Sequence, residues 1–175
     1  MSPESLILEP VSSTVSEAPM TTMKPLAPLV AIVAVLTAGC AMSPQTRTED
    51  TLTARNRAVI TDFARLFYTE KDVRAAFEKY VVPDYIQHNP NIVDGRDAAV
   101  AALTPLFSRP DARFDIKRIL VDGDYAVIHL HGRGSSADRG GAVADLYRLE
   151  DGKIVEHWDV IQPVPEKPVN PHAMF

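Results

Sequence analysis

Apolar residues recur at helical spacing in the first half of the folded region and alternate with polar ones in the second, the change falling at Pro110. Val59, Ile60, Phe63, Leu66 and Phe67 mark one amphipathic helix over about residues 53–68. Val73, Ala76, Phe77 and Tyr80 mark a second, with Asp72 placed to cap it. A third, shorter helix is expected after Asp94-Gly95, where Ala98 to Leu103 favour helix until Pro105. Beyond Pro110, Phe114–Val121, Tyr125–His131, Ala142–Leu149 and Ile154–Gln162 read as strands. Asp122-Gly123 and Asp151-Gly152 supply tight turns, so the strands are expected to form an antiparallel meander. Residues 133–141, rich in Gly and Ser, make a looser connection, and Pro163, Pro165, Pro168 and Pro171 draw the end into an extended tail. Helices segregated ahead of an antiparallel sheet define an α+β class in two layers.

The first forty residues follow another pattern. Met23-Lys24 opens a short basic stretch, Leu26 to Leu36 is an apolar run broken only by Pro28, and small residues lead into Cys40. That order is a secretory signal, and the run is too short to persist as a membrane span. Ala38-Gly39-Cys40 resembles the lipobox at which bacterial signal peptidase cuts and lipidates a cysteine. Cys40 is therefore expected to be a lipidated N-terminus that anchors the protein in the bacterial cell envelope. Ala41, where an Asp would signal retention in the inner membrane, favours the outer membrane, facing the periplasm. Residues 1–22 carry Glu4, Glu9 and Glu17 and no Lys or Arg, the wrong charge for a leader, so translation is expected to begin at Met20 or Met23. The organisation read from the sequence is a signal segment over 1–39, a lipidated cysteine and tether over 40–52, one domain over 53–165 and a tail over 166–175.

Composition narrows the function classes. A chain of 175 residues, 46% hydrophobic, buries one good core and is too short for two ordinary domains. The formal charge of −5 is spread along the chain, and Lys and Arg form no stripe, which sets nucleic acid aside as a partner. With Cys40 the only cysteine, an internal disulfide and any multi-cysteine metal site are excluded.

On a strand, side chains two apart share a face, so His129 lies with His131, Asp145 with Val143, Tyr147 and Leu149, and His157 with Asp159. The histidine pair suits a solvated sheet face as well as a site. Asp145, in apolar company, points to an interior position. Trp158 belongs to the face opposite Asp159, in the core or a dimer contact. His88 precedes a turn in Tyr85-Ile86-Gln87-His88-Asn89-Pro90 and suits either a capped loop or a cavity wall.

That hexapeptide, Gly95-Arg96, and the run from Asp145 through Asp151-Gly152-Lys153-Ile154 to His157-Trp158-Asp159 resemble the SnoaL-like family of the nuclear transport factor 2-like superfamily over about residues 53–165. The resemblance implies a cone-shaped fold: N-terminal helices packed on a strongly curved antiparallel sheet whose concave face encloses a pocket. It also implies a homodimer through the outer sheet face, where Glu156 and Trp158 point. In SnoaL-type cyclases a pocket Asp or His removes a proton next to a carbonyl and no cofactor takes part. By that resemblance Asp145 or Asp159 is the candidate base, with His88, His131 and His157 as donors or partners.

The leading expectation is a cofactor-independent enzyme, an aldol-type cyclase, isomerase or hydrolase, acting on a small apolar or carbonyl-bearing molecule. A non-catalytic ligand-binding lipoprotein of the same fold is the alternative. A third reading gathers His129, His131, His157 and Asp159 around zinc or copper.

Overall fold

The computed structural model describes residues 44–175, and the apolar leader and Cys40 lie outside the described residues. Among the described residues no helix is long and apolar enough to cross a membrane. Helix α1 spans Pro44–Ala64, starting nine residues before the expected helix, so residues 44–52, expected as tether, are helical. Their Thr, Arg, Glu and Asp side chains give no apolar face, which is why periodicity missed them. The chain then widens into one π-helical turn, Arg65–Thr69, closed by Glu70 N–H to Arg65 O at 2.9 Å. The turn matters because it buries the neighbours Phe67 and Tyr68 together.

Helix α2, Val73–Tyr80, is capped as expected: the Asp72 carboxylate accepts from Ala75 N–H at 3.0 Å. Helix α3, Arg96–Phe107, runs past Pro105. The lost hydrogen bond is offset by Phe107, whose ring stacks between Phe67 (4.3 Å) and Phe114 (4.0 Å).

The four expected strands form to within about two residues of their predicted ends: β2 Arg113–Asp122, β3 Tyr125–Arg133, β4 Gly141–Glu150 and β5 Lys153–Pro163. They pair antiparallel in sequence order. Asp151 and Gly152, both at positive φ, close the β4–β5 turn. A fifth strand, β1 (Val81–Gln87), corrects the all-antiparallel expectation. It lies parallel to β5 at the sheet edge, giving the order β1-β5-β4-β3-β2. Pro83 argues against a central strand and is tolerated because β1 is an edge. Register shifts between Ile116 and Arg118 and between Arg148 and Leu149 bend the sheet, as bulges do.

The three helices pack on the concave face. Ile60 and Phe63 from α1, Phe77 from α2, and Ile128, Leu130, Leu149 and Ile154 from the sheet are buried together. On the rim of this core, Asp62 of α1 accepts from Arg65 (2.7 Å), from Lys79 at the end of α2 (2.8 Å) and from the Tyr80 hydroxyl. Those donors, Lys79 first, hold its carboxyl well below the ordinary value of 3.8. A carboxyl depressed in the folded state stabilises the fold above its unfolded pKa and loses that contribution as pH falls from there through the folded pKa. The stability gap between the parent and Asp62→Asn, measured by urea unfolding, is therefore expected to be widest near pH 7 and to narrow progressively below about pH 4. A gap that stays constant down to pH 3 would rule this out.

Candidate active site

Strand alternation and register build the site. On β4, Val143, Asp145, Tyr147 and Leu149 face the helices, and on β5 His157 and Asp159 do. The β4–β5 register sets Asp145 opposite Asp159 and Tyr147 opposite His157, so two cross-strand pairs form one polar patch. The patch is one end of a cavity of about 660 Å³. Its other walls are mostly apolar, including Phe67, Leu103, Phe107, Phe114 and Ile161, with Asn91, Arg133 and Asp138 also lining it.

Asp145 is buried with both carboxylate oxygens engaged. His157 Nε2 lies 3.2 Å from Oδ1 and the Tyr68 hydroxyl 2.5 Å from Oδ2. The Tyr147 hydroxyl stands 2.7 Å from that of Tyr68. Burial first, then the Asp145 charge, raises both phenols well above their ordinary value, so they keep their protons and act as donors. Tyr147 thus donates to Tyr68 and Tyr68 to the carboxylate.

The histidine tautomer follows from a backbone group. Asn89 N–H, which can only donate, bonds Gln87 Oε1 at 2.9 Å and so fixes that amide. The same oxygen lies 2.9 Å from His157 Nδ1, which must therefore carry a proton. His157 Nε2 is then the nitrogen turned toward Asp145 Oδ1, at 3.2 Å. Asp159, less buried, accepts from Asn89 Nδ2 at 2.5 Å through Oδ2. Its Oδ1 has no partner among the described residues, and Asp159 lines the cavity. Tyr85 lines it too: its hydroxyl accepts from Gln87 Nε2 at 3.3 Å and its own proton meets no acceptor among the described residues. Burial raises that phenol above its ordinary value, with Asp145 and Asp159 adding to the shift.

Of the five residues expected in the site, Asp145, Asp159 and His157 come together and two histidines do not. His88 is on the opposite face of the sheet, stacked on Trp158 at 4.7 Å and bonded through Nε2 to Glu156 at 2.8 Å. Glu156 also takes Arg148 Nε at 2.7 Å, and His88 and Arg148 together hold its carboxyl below the ordinary range. His131 is on the outer face as well, donating to Arg139 O at 2.8 Å beneath the Phe175 ring. His129 accepts from Arg118 there. The reason is strand parity: Ile128 and Leu130 occupy the inward positions of β3. The expected grouping of His129 and His131 with His157 and Asp159 is thereby ruled out.

Tyr68, Tyr85, Gln87 and Asn89 escaped sequence reading. The signal for three of them was present. Period-two alternation over 85–89 puts Tyr85, Gln87 and Asn89 on one face and Ile86 and His88 on the other, as the structure does. Tyr68 had none, because its inward turn depends on the π-helical widening.

A helix-covered curved sheet with a polar-ended pocket defines the nuclear transport factor 2-like class. A model of the SnoaL-like domain matches residues 60–157, more than half the chain, and the protein belongs to that family. No curated protein matches it. Among solved structures it is similar to a nuclear transport factor 2-like protein of unknown function from Mesorhizobium loti (22% identity, 63% of this chain and 93% of that one, TM-score 0.55). It is also similar to one from Burkholderia xenovorans (16%, 68% and 91%, 0.57). A third, from Kribbella flavida, is named as a candidate ketosteroid isomerase (18%, 67% and 85%, 0.51). At these identities the likeness is one of fold.

Removing the Tyr68 hydroxyl leaves a buried carboxylate oxygen without its donor. Tyr68→Phe is expected to lower unfolding free energy by about 1–3 kcal/mol, and Tyr147→Phe by less, because Tyr68 can still donate. Urea denaturation of both variants gives the order; equal losses would contradict the relay.

Proposed function

We propose that this protein is an enzyme that removes a proton next to the carbonyl of a small, largely apolar molecule, as an aldol-type cyclase or an isomerase does. The observation that carries the reading is the unpartnered Oδ1 of Asp159 at the polar end of an apolar cavity. Both Asp145 oxygens and both His157 nitrogens are engaged, which leaves Asp159 as the base. The C–H bond breaks, its proton passes to Asp159, and its electron pair moves into the carbonyl as an enolate. The Tyr85 hydroxyl donates to that enolate oxygen, and the Asp145–His157–Gln87 chain holds the surrounding side chains in register. Substrate recognition falls to the aromatic walls. Fold neighbours support a small-molecule pocket without specifying the reaction, and the Kribbella flavida protein's name points the same way for that protein alone.

Proton exchange at the α-carbon of a panel of cyclic ketones, followed by NMR in deuterated water, tests the chemistry. Asp159→Asn is expected to slow exchange by roughly 10²-fold or more with little change in stability, and His88→Gln to leave it unaltered. Exchange that survives Asp159→Asn would remove Asp159 from the mechanism, and a pocket that binds these ketones with no exchange would make the protein a binding module.

We also propose that the chain is a lipoprotein of the outer membrane, facing the periplasm and anchored at Cys40. The support is the basic start, apolar run and small residues ahead of that cysteine. In a diderm host the parent is expected in the membrane fraction with the mass of an acylated chain, and Cys40→Ala is expected to lose both. A variant processed and retained like the parent would defeat the proposal.

A further inference from the structure

We propose that Asp145, His157 and Asp159 form a binding site for one first-row divalent transition-metal ion of the zinc type, which uses three ligands from the chain and leaves the cavity side open. One ligand atom from each residue lies within 4.8 Å of the others. The Nε2–Oδ1 separation of 3.2 Å matches the edge of a coordination shell, about 3.0–3.4 Å for bonds of about 2.1 Å.

Each ligand is held from behind on the atom that would not face the ion. Gln87 takes Nδ1–H of His157 and so presents Nε2, Tyr68 binds Oδ2 of Asp145, and Asn89 binds Oδ2 of Asp159. Such outer hydrogen bonds orient metal ligands and fix the histidine tautomer. Charge argues the same way. Two carboxylates face each other across β4 and β5, and among the described residues no Lys or Arg pairs with either. One imidazole cannot balance both, so the cluster stays electronegative in a largely apolar surround, which a divalent cation corrects. One nitrogen with two carboxylate oxygens suits zinc, iron(II) or manganese better than calcium or magnesium, which prefer oxygen alone. The open side resembles catalytic metal sites, where a fourth position takes water or substrate.

Metal binding here goes beyond the proton-abstraction reading and does not rest on it: Asp159 is the base in the ion-free site and a ligand in the ion-bound one, so a bound ion switches proton abstraction off. The binding itself requires no turnover and is tested without it. The full-length chain, stripped with a chelator, is titrated with Zn²⁺ by calorimetry and with Co²⁺ by visible absorption. One ion per chain is expected. His157→Gln and Asp159→Asn are expected to lose it, Gln87→Leu to weaken it by about 10–100-fold, and His131→Gln on the outer face to leave it unchanged. Should His157→Gln fail to fold by circular dichroism, Asp159→Asn, at a less buried position, carries the test. Absence of binding, or binding that survives Asp159→Asn, overturns the proposal.

Discussion

Burying the carboxylate of Asp145 is the constraint on which the site depends. An ionised group at that depth costs several kcal/mol unless it is met on every side. The fold meets it from three separate elements: Tyr68 at the widened end of α1, Tyr147 behind it on β4, and His157 on β5. His157 in turn needs Gln87, which is why a short proline-containing strand is paired to β5 in parallel. The π-helical turn and the parallel edge strand, the two departures nearest the site, each supply one of these partners.

Elements with strong periodicity were legible in the sequence. The amphipathic faces of α1 and α2, the Asp72 cap and the four antiparallel strands each follow from local pattern, and so does the inward direction of Asp145; alternation put His157 and Asp159 on one face, and the family resemblance turned that face inward. What escaped reading depends on partners distant in sequence. Strand β1 carries Pro83 and pairs with a strand about seventy residues away. Pro44 to Glu49 lacks an apolar stripe, and the tyrosine relay needs a helix whose pitch changes within one turn. His88 and His131 were misplaced for opposite reasons. His131 obeyed its strand's alternation, with the histidine face outward, whereas His88 sits in a segment whose strand character Pro83 concealed.

The two faces of β5 are occupied by unrelated chemistry. Inward are His157 and Asp159; outward are Glu156, bonded to His88 and Arg148, and Trp158, stacked on His88. The cavity end is thus held by buried hydrogen bonds among Tyr68, Asp145, His157 and Gln87, while the outer face is held by the Arg148–Glu156 ion pair and a ring stack.

Because neighbouring residues of β5 serve opposite faces, the lineage that carries this gene is free to change letters along the strand but not its length. Loss of a single codon between the β4–β5 turn and His157 would send the histidine and Asp159 to the outer surface and bring a tryptophan and a glutamate into the pocket. Relatives that diverge far in residue identity should therefore keep an unbroken spacing through this strand, with insertions accumulating instead in the loop over 134–140 and in the proline-rich tail.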